Sequence, residues 1–195
     1  MSVPFRFNAL NHEYLDEATG EVYPHITEML LQAGLIDDTW YTEESSARGT
    51  AVHRLTADYD LQALDVESCT SLYRGYLLAH VAVVSILQPT WLAVEEPLVH
   101  STLRYGGRPD RDCLVGGIRA VWEIKSGPPE GSHPVQTALQ AILVAQEARV
   151  PADAIARFCC YLRPDGRYKL DEHRKRTDFD RAFRIIHEST MKGRL

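Results

Sequence analysis

The sequence has no long hydrophobic run, because its longest apolar stretch, Leu77 to Leu87, is interrupted by His80 and Ser85. A helix that spans a bilayer needs about 20 apolar residues, so we expect no membrane association. The first residues also lack a basic start followed by an apolar segment, so we expect no secretory signal peptide. These absences predict a cytoplasmic protein.

Cysteine is scarce as well, with four residues at positions 69, 113, 159 and 160 and no Cys-x-x-Cys pair. This spacing does not predict a zinc site or a disulfide framework. We therefore expect reduced and mostly buried thiols, as in other cytoplasmic proteins.

Positive charge is in deficit, since 21 basic residues face 27 acidic ones and the net charge is −6. Such a balance argues against tight, nonspecific binding of nucleic acid. The charge is uneven, however, because residues 163–195 carry ten bases and six acids. Local charge decides where a phosphate backbone docks. The basic cluster in this segment is either a phosphate contact or a solvated turn, and its members are Arg163, Arg167, Lys169, Arg174, Lys175 and Arg176.

The 195 residues, 45% of them hydrophobic, are enough for one globular domain with its own core. Hydrophobic periodicity and turn residues predict a hairpin in 6–23, helices in 24–36, 43–63, 67–87, 133–148 and 178–191, and strands in 91–99, 108–115, 118–125, 154–163 and 166–170. This order predicts a mixed sheet with helices on both faces.

The most informative segment is 107–127, GRPDRDCLVGGIRAVWEIKSG. Its Gly-Gly pair between apolar runs predicts a two-residue hairpin turn. Val115 then faces Ile118, and counting outward brings Asp110 opposite Glu123, with Cβ atoms about 5 Å apart. Strand alternation places Lys125 on the same face as Glu123.

Two opposed carboxylates repel each other unless a positive charge lies between them. A hard divalent cation such as Mg²⁺ or Mn²⁺ supplies that charge and prefers oxygen ligands. Lys125 cannot ligate a metal while protonated, but it can orient a water or stabilise developing negative charge. The pattern predicts a metal-dependent phosphodiesterase site. The alternative is the solvated face of an ordinary hairpin, but Pro109 before the pair and the break at Ser126-Gly127 after it favour a site.

The run from Glu95 to Gln140 resembles the PD-(D/E)XK nuclease superfamily, specifically its RecB-like and phage recombination-exonuclease branches. Pro109-Asp110 and Glu123-Ile124-Lys125 match the two halves of its signature, and Gly49-Thr50-x-x-His53 resembles its helical histidine motif. Glu95 resembles the upstream acid. Gln136 resembles the start of the glutamine–tyrosine helix motif, although Gln140 stands where tyrosine is usual. The resemblance covers roughly residues 10–145.

The resemblance implies an α/β (α+β) fold, a restriction-endonuclease-like core with a mixed central sheet flanked by helices. The implied nuclease domain spans 1–195, with a hairpin and helices in 1–88, the catalytic core in 89–172 and a C-terminal helix in 173–195. The implied function is a divalent-metal-dependent deoxyribonuclease, an exonuclease of phage or prophage recombination or repair. Its implied setting is the bacterial cytoplasm, with DNA, a homo-oligomer and a phage recombination protein as partners.

The resemblance also implies roles for single residues. The metal ligands would be His53, Glu95, Asp110, Glu123 and the carbonyl group of Ile124, with Lys125 and Gln136 joining Asp110 and Glu123 in catalysis. An imidazole suits Mn²⁺, so Mg²⁺ or Mn²⁺ is the expected cofactor. By position, Arg48 and Arg54 beside the histidine motif and Arg104, Arg108 and Arg111 beside Asp110 could contact phosphates, and the alternative for each is an ordinary surface arginine. Gln140 shares a helix face with Gln136 and is a further candidate DNA contact, the alternative being two amides at the wet edge of the helix.

Several alternatives stay open. His53 is either a ligand or a structural histidine, and strand alternation sends only one of Glu95 and Glu96 to the site. Some RecB-like relatives carry an iron–sulfur cluster on four cysteines, but this chain lacks that spacing and we expect no cluster. The competing functions are a non-catalytic DNA-binding or assembly protein and a structure-specific or sequence-specific endonuclease on the same core.

Overall fold

The structure, a computed structural model, describes residues 4–9, 11–36, 42–67, 69 and 72–192. Its strands are β1 (Phe5–Asn8), β2 (Glu13–Asp16), β3 (Val22–Tyr23), β4 (Thr90–Val94), β5 (Leu98–His100), β6 (Tyr105–Gly107), β7 (Arg111–Val115), β8 (Ile118–Lys125), β9 (Ala156–Leu162) and β10 (Tyr168–Glu172). Its α-helices are α1 (Ile26–Gln32), α2 (Glu43–Asp60), α3 (Arg74–Leu87), α4 (His133–Ala148) and α5 (Arg176–Lys192).

A five-stranded mixed sheet in the order β10-β9-β8-β7-β4 organises the chain. Strands β8 and β9 are parallel and the other neighbours are antiparallel. A parallel pair needs a crossover connection, and α4 supplies it between β8 and β9. The mixed sheet predicted from the sequence is confirmed.

Helices cover both faces of this sheet. On one face, α1, α4 and α5 share a core that includes Met29, Leu139 and Ile186. On the other, Val52 of α2 and Val83 of α3 pack with Trp122 of β8 and their neighbours. Within the described residues, no helix is both long and apolar enough to cross a membrane.

The predicted hairpin between β7 and β8 is confirmed. Gly116 and Gly117 have φ angles of 57° and 83°, the left-handed values that a type I′ turn requires. Val115 pairs with Ile118, and the ladder continues to Arg111 and Trp122. The predicted bounds of 118–125 and 133–148 also match β8 and α4.

Three predicted elements were wrong in detail. The N-terminal segment is a three-stranded antiparallel sheet, β1-β2-β3, rather than one hairpin. Helix α3 begins at Arg74 instead of 67; residues 68, 70 and 71 of that prediction lie outside the described residues. The strand predicted over 91–99 is split into β4 and β5, because Glu95 adopts a left-handed backbone with φ of 52°.

The N-terminal sheet and α1 dock on β6. The amide of Gly106 donates to the carbonyl of Pro24 at 2.9 Å. A Cβ atom at Gly106 would lie 2.4 Å from the Tyr14 ring, and one at Gly107 would lie 2.4 Å from the Ile26 side chain. Only glycine permits this close approach, which places the N-terminal sheet beside the end of β7.

Candidate metal and catalytic site

Three potential metal ligands from three separate elements meet at the N-terminal end of β7. His53 comes from α2, Glu95 follows β4 and Asp110 precedes β7, and one ligand atom from each lies within 4.8 Å of the others. His53 Nδ1 is 3.2 Å from Asp110 Oδ1 and 3.5 Å from Glu95 Oε1. One imidazole and two carboxylates form a donor set that fits Mg²⁺ or Mn²⁺.

The left-handed backbone of Glu95 explains how this side chain reaches the cluster. The Glu95 amide donates to the Asp110 carbonyl at 3.0 Å, and the pairing of β4 with β7 contains an irregularity between Trp91 and Ala93. A bulge of this kind redirects a side chain. Strand parity alone could not decide between Glu95 and Glu96, whereas the structure places Glu95 in the cluster.

When no cation is bound, the two carboxylates of the cluster strongly shift the pKa of His53. Burial lowers the pKa of His53, but the negative charge of Asp110 and hydrogen bonds to Asp110 and Glu95 outweigh it and raise this pKa to about 10. The protonated imidazole therefore occupies the space between the two carboxylates as their counter-charge. A cation bound there would replace that proton.

Glu123 lies beside this cluster but is held differently. The register of β7 and β8 places it opposite Asp110, immediately beyond the last pair of the ladder. Its Oε1 is 2.7 Å from Lys125 Nζ and accepts from Gln136 Nε2 at 2.6 Å, while its Oε2 accepts from Gln140 Nε2 at 2.6 Å. Both oxygens thus have partners, and the three-residue cluster does not include Glu123.

Lys125 is set up as a fixed positive charge. Burial opposes its charged form, but the carboxylates of Glu123 and Asp110 outweigh this and raise the pKa of Lys125 well above its usual range. A lysine that stays protonated stabilises negative charge rather than acting as a base.

The two glutamines of α4 and the backbone of Ile124 orient the carboxylates. Gln140 was predicted as a DNA contact, yet it is almost fully buried and its amide holds Glu123. Gln136 holds the other oxygen of Glu123. The Ile124 amide donates to Asp110 Oδ2 at 2.6 Å, so this residue orients Asp110 through its N–H group.

A cavity of about 560 Å³ opens onto these groups. Its lining includes Glu95, Asp110 and Glu123 together with His12 and Tyr14 of the N-terminal region. Nothing in the sequence of the N-terminal segment indicated this role, because it depends on the docking of β2 against Gly106.

The predicted phosphate-contacting arginines fall into different environments. Arg54 and Arg108 line the cavity, where Arg108 Nε is 3.1 Å from Glu95 Oε2. Arg48 lines two adjoining cavities. Arg104 pairs with Glu21 away from the cluster. Arg111 has no exposed side-chain surface, so its prediction as a phosphate contact was wrong.

The C-terminal basic cluster is largely neutralised by its own acidic neighbours. Arg167 Nε is 2.8 Å from Asp165, Lys169 Nζ is 2.7 Å from Asp171, and Arg174 pairs with Glu172. Local pairing of this type reduces the field that a phosphate backbone would meet.

The described cysteines are buried and none is in a disulfide. Burial raises the pKa of Cys159 to about 12 and that of Cys113 likewise to about 12. Both remain thiols at neutral pH, and the thiol form is a poor metal ligand.

Comparisons with known proteins support the fold alone. No family model and no curated protein sequence matches the chain. The structure is similar to the crystal structure of the "putative exonuclease" from Eubacterium rectale, with a TM-score of 0.55 and 10% sequence identity over 97% of this chain and 86% of that one. The two chains therefore share an overall fold over most of their length.

Proposed function

We propose that this chain is a divalent-metal-dependent deoxyribonuclease of the PD-(D/E)XK type, with exonuclease action as the favoured mode. The observation that carries the proposal is the meeting of His53, Glu95 and Asp110 in one cluster beside Glu123 and Lys125. A binding module has no need for so many buried carboxylates, because their desolvation is unfavourable. The shared architecture with the Eubacterium rectale protein agrees with a nuclease.

In the reaction that we propose, a water adds to a backbone phosphorus atom and one bridging P–O bond breaks, leaving a phosphomonoester and a hydroxyl group. His53, Glu95 and Asp110 would hold the cation, with Glu123 bordering it. When bound, the cation lowers the pKa of a coordinated water and offsets the charge that develops on the phosphate. Lys125 adds a fixed positive charge, and Gln136 and Gln140 keep Glu123 in place.

The cavities adjoining the site suggest a route for the DNA strand. One of about 300 Å³ is lined by His53, Lys125 and Arg48, and the next, of about 370 Å³, by Arg48, Arg163 and Lys169. No acidic residue is among the described residues that line this second cavity, although Asp171 pairs with its Lys169 at 2.7 Å. We propose that Arg48 contacts a phosphate there, while Arg54 and Arg108 face the metal cavity.

The biological setting that we propose is phage or prophage recombination or repair in the bacterial cytoplasm. It rests on the motif resemblance, as do a homo-oligomeric state and a recombination partner protein. Sedimentation of the purified protein tests the oligomeric state directly.

Incubation of linear and covalently closed circular DNA with Mg²⁺ or Mn²⁺ tests the function. An exonuclease degrades the linear form and leaves the circle intact, whereas a structure-specific or sequence-specific endonuclease also nicks or opens susceptible circles. Asp110→Asn serves as the inactive control. A wild-type protein that binds DNA but cleaves neither form would support the non-catalytic alternative and overturn the proposal.

A further inference from the structure

We infer that Arg111 is a positioning residue, which holds the ligand cluster of His53, Glu95 and Asp110 in place against helix α2 through Asp60. The inference rests on the proposed function, because the cluster that it concerns is the proposed metal site. Arg111 directly follows Asp110 in the chain, and neither its side chain nor that of Asp60 is exposed. It therefore cannot touch DNA, and its contacts are all internal.

The guanidinium of Arg111 joins two of the three cluster residues. Its Nη1 donates to the backbone carbonyl of Asp110 at 2.6 Å and lies 3.7 Å from Glu95 Oε1. Its Nε lies 2.6 Å from Asp60 Oδ2, and its Nη2 donates to Thr56 Oγ1 at 3.3 Å. The planar guanidinium can make these contacts in several directions at once, which a lysine ammonium on a flexible chain cannot reproduce.

The third cluster residue belongs to the same assembly through α2. His53, Thr56 and Asp60 are spaced three and four residues apart, so they share one face of this helix. His53 points to the cluster, while Thr56 and Asp60 hold Arg111. Arg111 thus contacts helix α2 through Thr56 and Asp60, and it contacts Glu95 and Asp110 directly. A shift of Arg111 would therefore move Glu95 and Asp110 relative to His53.

Asp60 is itself fixed from the other side. His80 of α3 places Nε2 at 2.9 Å from each Asp60 oxygen, and both side chains are unexposed. Trp91 stacks on the His80 ring with an interplanar angle of 11° and lies 5.9 Å from the Arg111 guanidinium. Buried ion pairs often give little net stability. Groups behind the ligands of a metal site, by contrast, commonly set its affinity.

Replacement of Asp60 by Asn tests the inference. The substitution preserves shape but removes the charge that holds Arg111, so the guanidinium is drawn toward Glu95 and Asp110. We expect Mn²⁺ affinity, measured by calorimetry without DNA, to weaken about 10–100-fold. Nuclease activity should fall at low Mn²⁺ and recover at saturating Mn²⁺. Arg111→Lys, which keeps the charge but not the geometry, should act in the same direction.

Asp178→Asn is the matched control. It disrupts another buried pair, between Arg157 Nη2 and Asp178 Oδ2 at 3.0 Å, whose arginine also donates to backbone carbonyls. This variant should lose thermal stability while its Mn²⁺ affinity stays at the wild-type value. Equal weakening in the two Asn variants, or wild-type affinity in folded Asp60→Asn, would overturn the positioning role.

The design separates failure of this inference from failure of the proposed function. A wild-type protein that binds no divalent cation overturns the proposed function and the inference together. A wild-type protein that binds Mn²⁺ and cleaves DNA, with Asp60→Asn unchanged, overturns the inference alone. If Asp60→Asn does not fold, the comparison of Arg111→Lys with Asp178→Asn decides in the same way.

Discussion

Asp110 and Glu123 lie opposite each other at the end of one hairpin, yet their carboxylates have different surroundings. Glu123 is balanced by groups of the chain itself, namely Lys125 and the amides of Gln136 and Gln140. Asp110 instead accepts from one backbone amide, and its other oxygen faces His53. In the proposed function, the Asp110 side, where His53 and Glu95 also meet, would hold the cation, whereas both oxygens of Glu123 already have partners in the chain.

The largest expected effect comes from removing the carboxylate of Asp110. We expect Asp110→Asn to lower nuclease activity by more than about 100-fold, because loss of a direct ligand should exceed the 10–100-fold effect of a residue behind the ligands. Glu123→Gln, which releases Lys125 beside the ligands, should lower it by about 10–100-fold. The rate of degradation of linear DNA at saturating Mn²⁺ measures this. Substantial activity in Asp110→Asn would remove it from the site.

The free energy of unfolding without metal should differ between Asp110→Asn and Glu123→Gln. Opposed carboxylates predict relief of repulsion when either is removed, but in the structure each has a positive partner, His53 beside Asp110 and Lys125 beside Glu123. Glu123→Gln leaves the ammonium of Lys125 without its counter-charge. We expect a loss of about 2 kcal/mol, below the roughly 3–5 kcal/mol for a fully buried pair, because 22% of the Lys125 side chain is exposed.

Asp110→Asn keeps an acceptor for the Ile124 amide, and Glu95 stays beside the His53 imidazole, so its free energy of unfolding in EDTA should fall by less than that of Glu123→Gln. Urea denaturation of the two variants and the wild type provides the comparison. Equal destabilisation of both variants would contradict the asymmetry between the two carboxylates.

Replacement of His53 by Ala tests whether this residue is a metal ligand on the Asp110 side of the site. If it is a ligand, His53→Ala should weaken Mn²⁺-supported activity by at least about 10–100-fold. The effect should be smaller with Mg²⁺, which prefers oxygen ligands. A Mn²⁺ titration of activity measures this, with His187→Ala, at an exposed position of α5, as the control. An unchanged titration would make His53 a structural residue.

The sequence allowed the Asp110–Glu123 pairing to be predicted, because a Gly-Gly turn and strand alternation are local rules. The outcome depends only on counting from Val115 and Ile118, and the register confirms it. The groups that hold the site in place from behind could not be predicted in this way. Asp60 and His80 are 20 residues apart and meet Arg111 only through packing of α2 and α3 against the sheet. No local pattern marks such a contact.

Backbone irregularity was a second reason why parts of the structure could not be predicted from the sequence. The prediction over 91–99 treated Glu95 as part of a continuous strand, and the left-handed turn there is unusual for a residue other than glycine. The N-terminal wall of the cavity was missed for a similar reason, since it depends on close packing against Gly106 and Gly107. Turn chemistry was therefore predictable from the sequence, whereas contacts between distant elements were not.

Arg48 tests whether the strand path runs along the Lys125 side of the site. We expect Arg48→Ala to weaken binding of a single-stranded oligonucleotide about tenfold, equivalent to one charge-assisted hydrogen bond of about 1.5 kcal/mol. The slope of log K against log salt should flatten by about 0.7 for the lost phosphate contact. Binding to the inactive Asp110→Asn protein, measured at several salt concentrations, gives both quantities.

The combined replacement of Arg174, Lys175 and Arg176 by alanine is the matched comparison. Arg174 is already paired with Glu172, so we expect this triple variant to change the slope by less than Arg48→Ala does. A larger change in the triple variant would move the DNA path to the C-terminal segment.

The smallest expected effect concerns His133, on the Glu123 side of the site. Burial, followed by the positive charge of Lys125, lowers the pKa of His133 to about 4; to a smaller extent Glu123 raises this pKa and His173 lowers it. Its Nδ1 accepts from the Glu130 amide at 3.2 Å and lies 3.0 Å from the Tyr161 hydroxyl. The folded protein therefore holds this imidazole neutral.

Because the folded pKa lies below the unfolded value of about 6.5, the unfolded chain binds the extra proton between pH 6.5 and 4. Stability from this group is complete above pH 6.5 and is lost as the pH falls toward 4. We expect a loss of about 1–2 kcal/mol between pH 7 and 5 that is missing in His133→Asn, whose side-chain oxygen can still accept from the Glu130 amide. Urea denaturation in EDTA at both pH values measures the difference. Parallel pH profiles for the two proteins would show that neither burial nor Lys125 lowers the pKa of His133 in the folded protein.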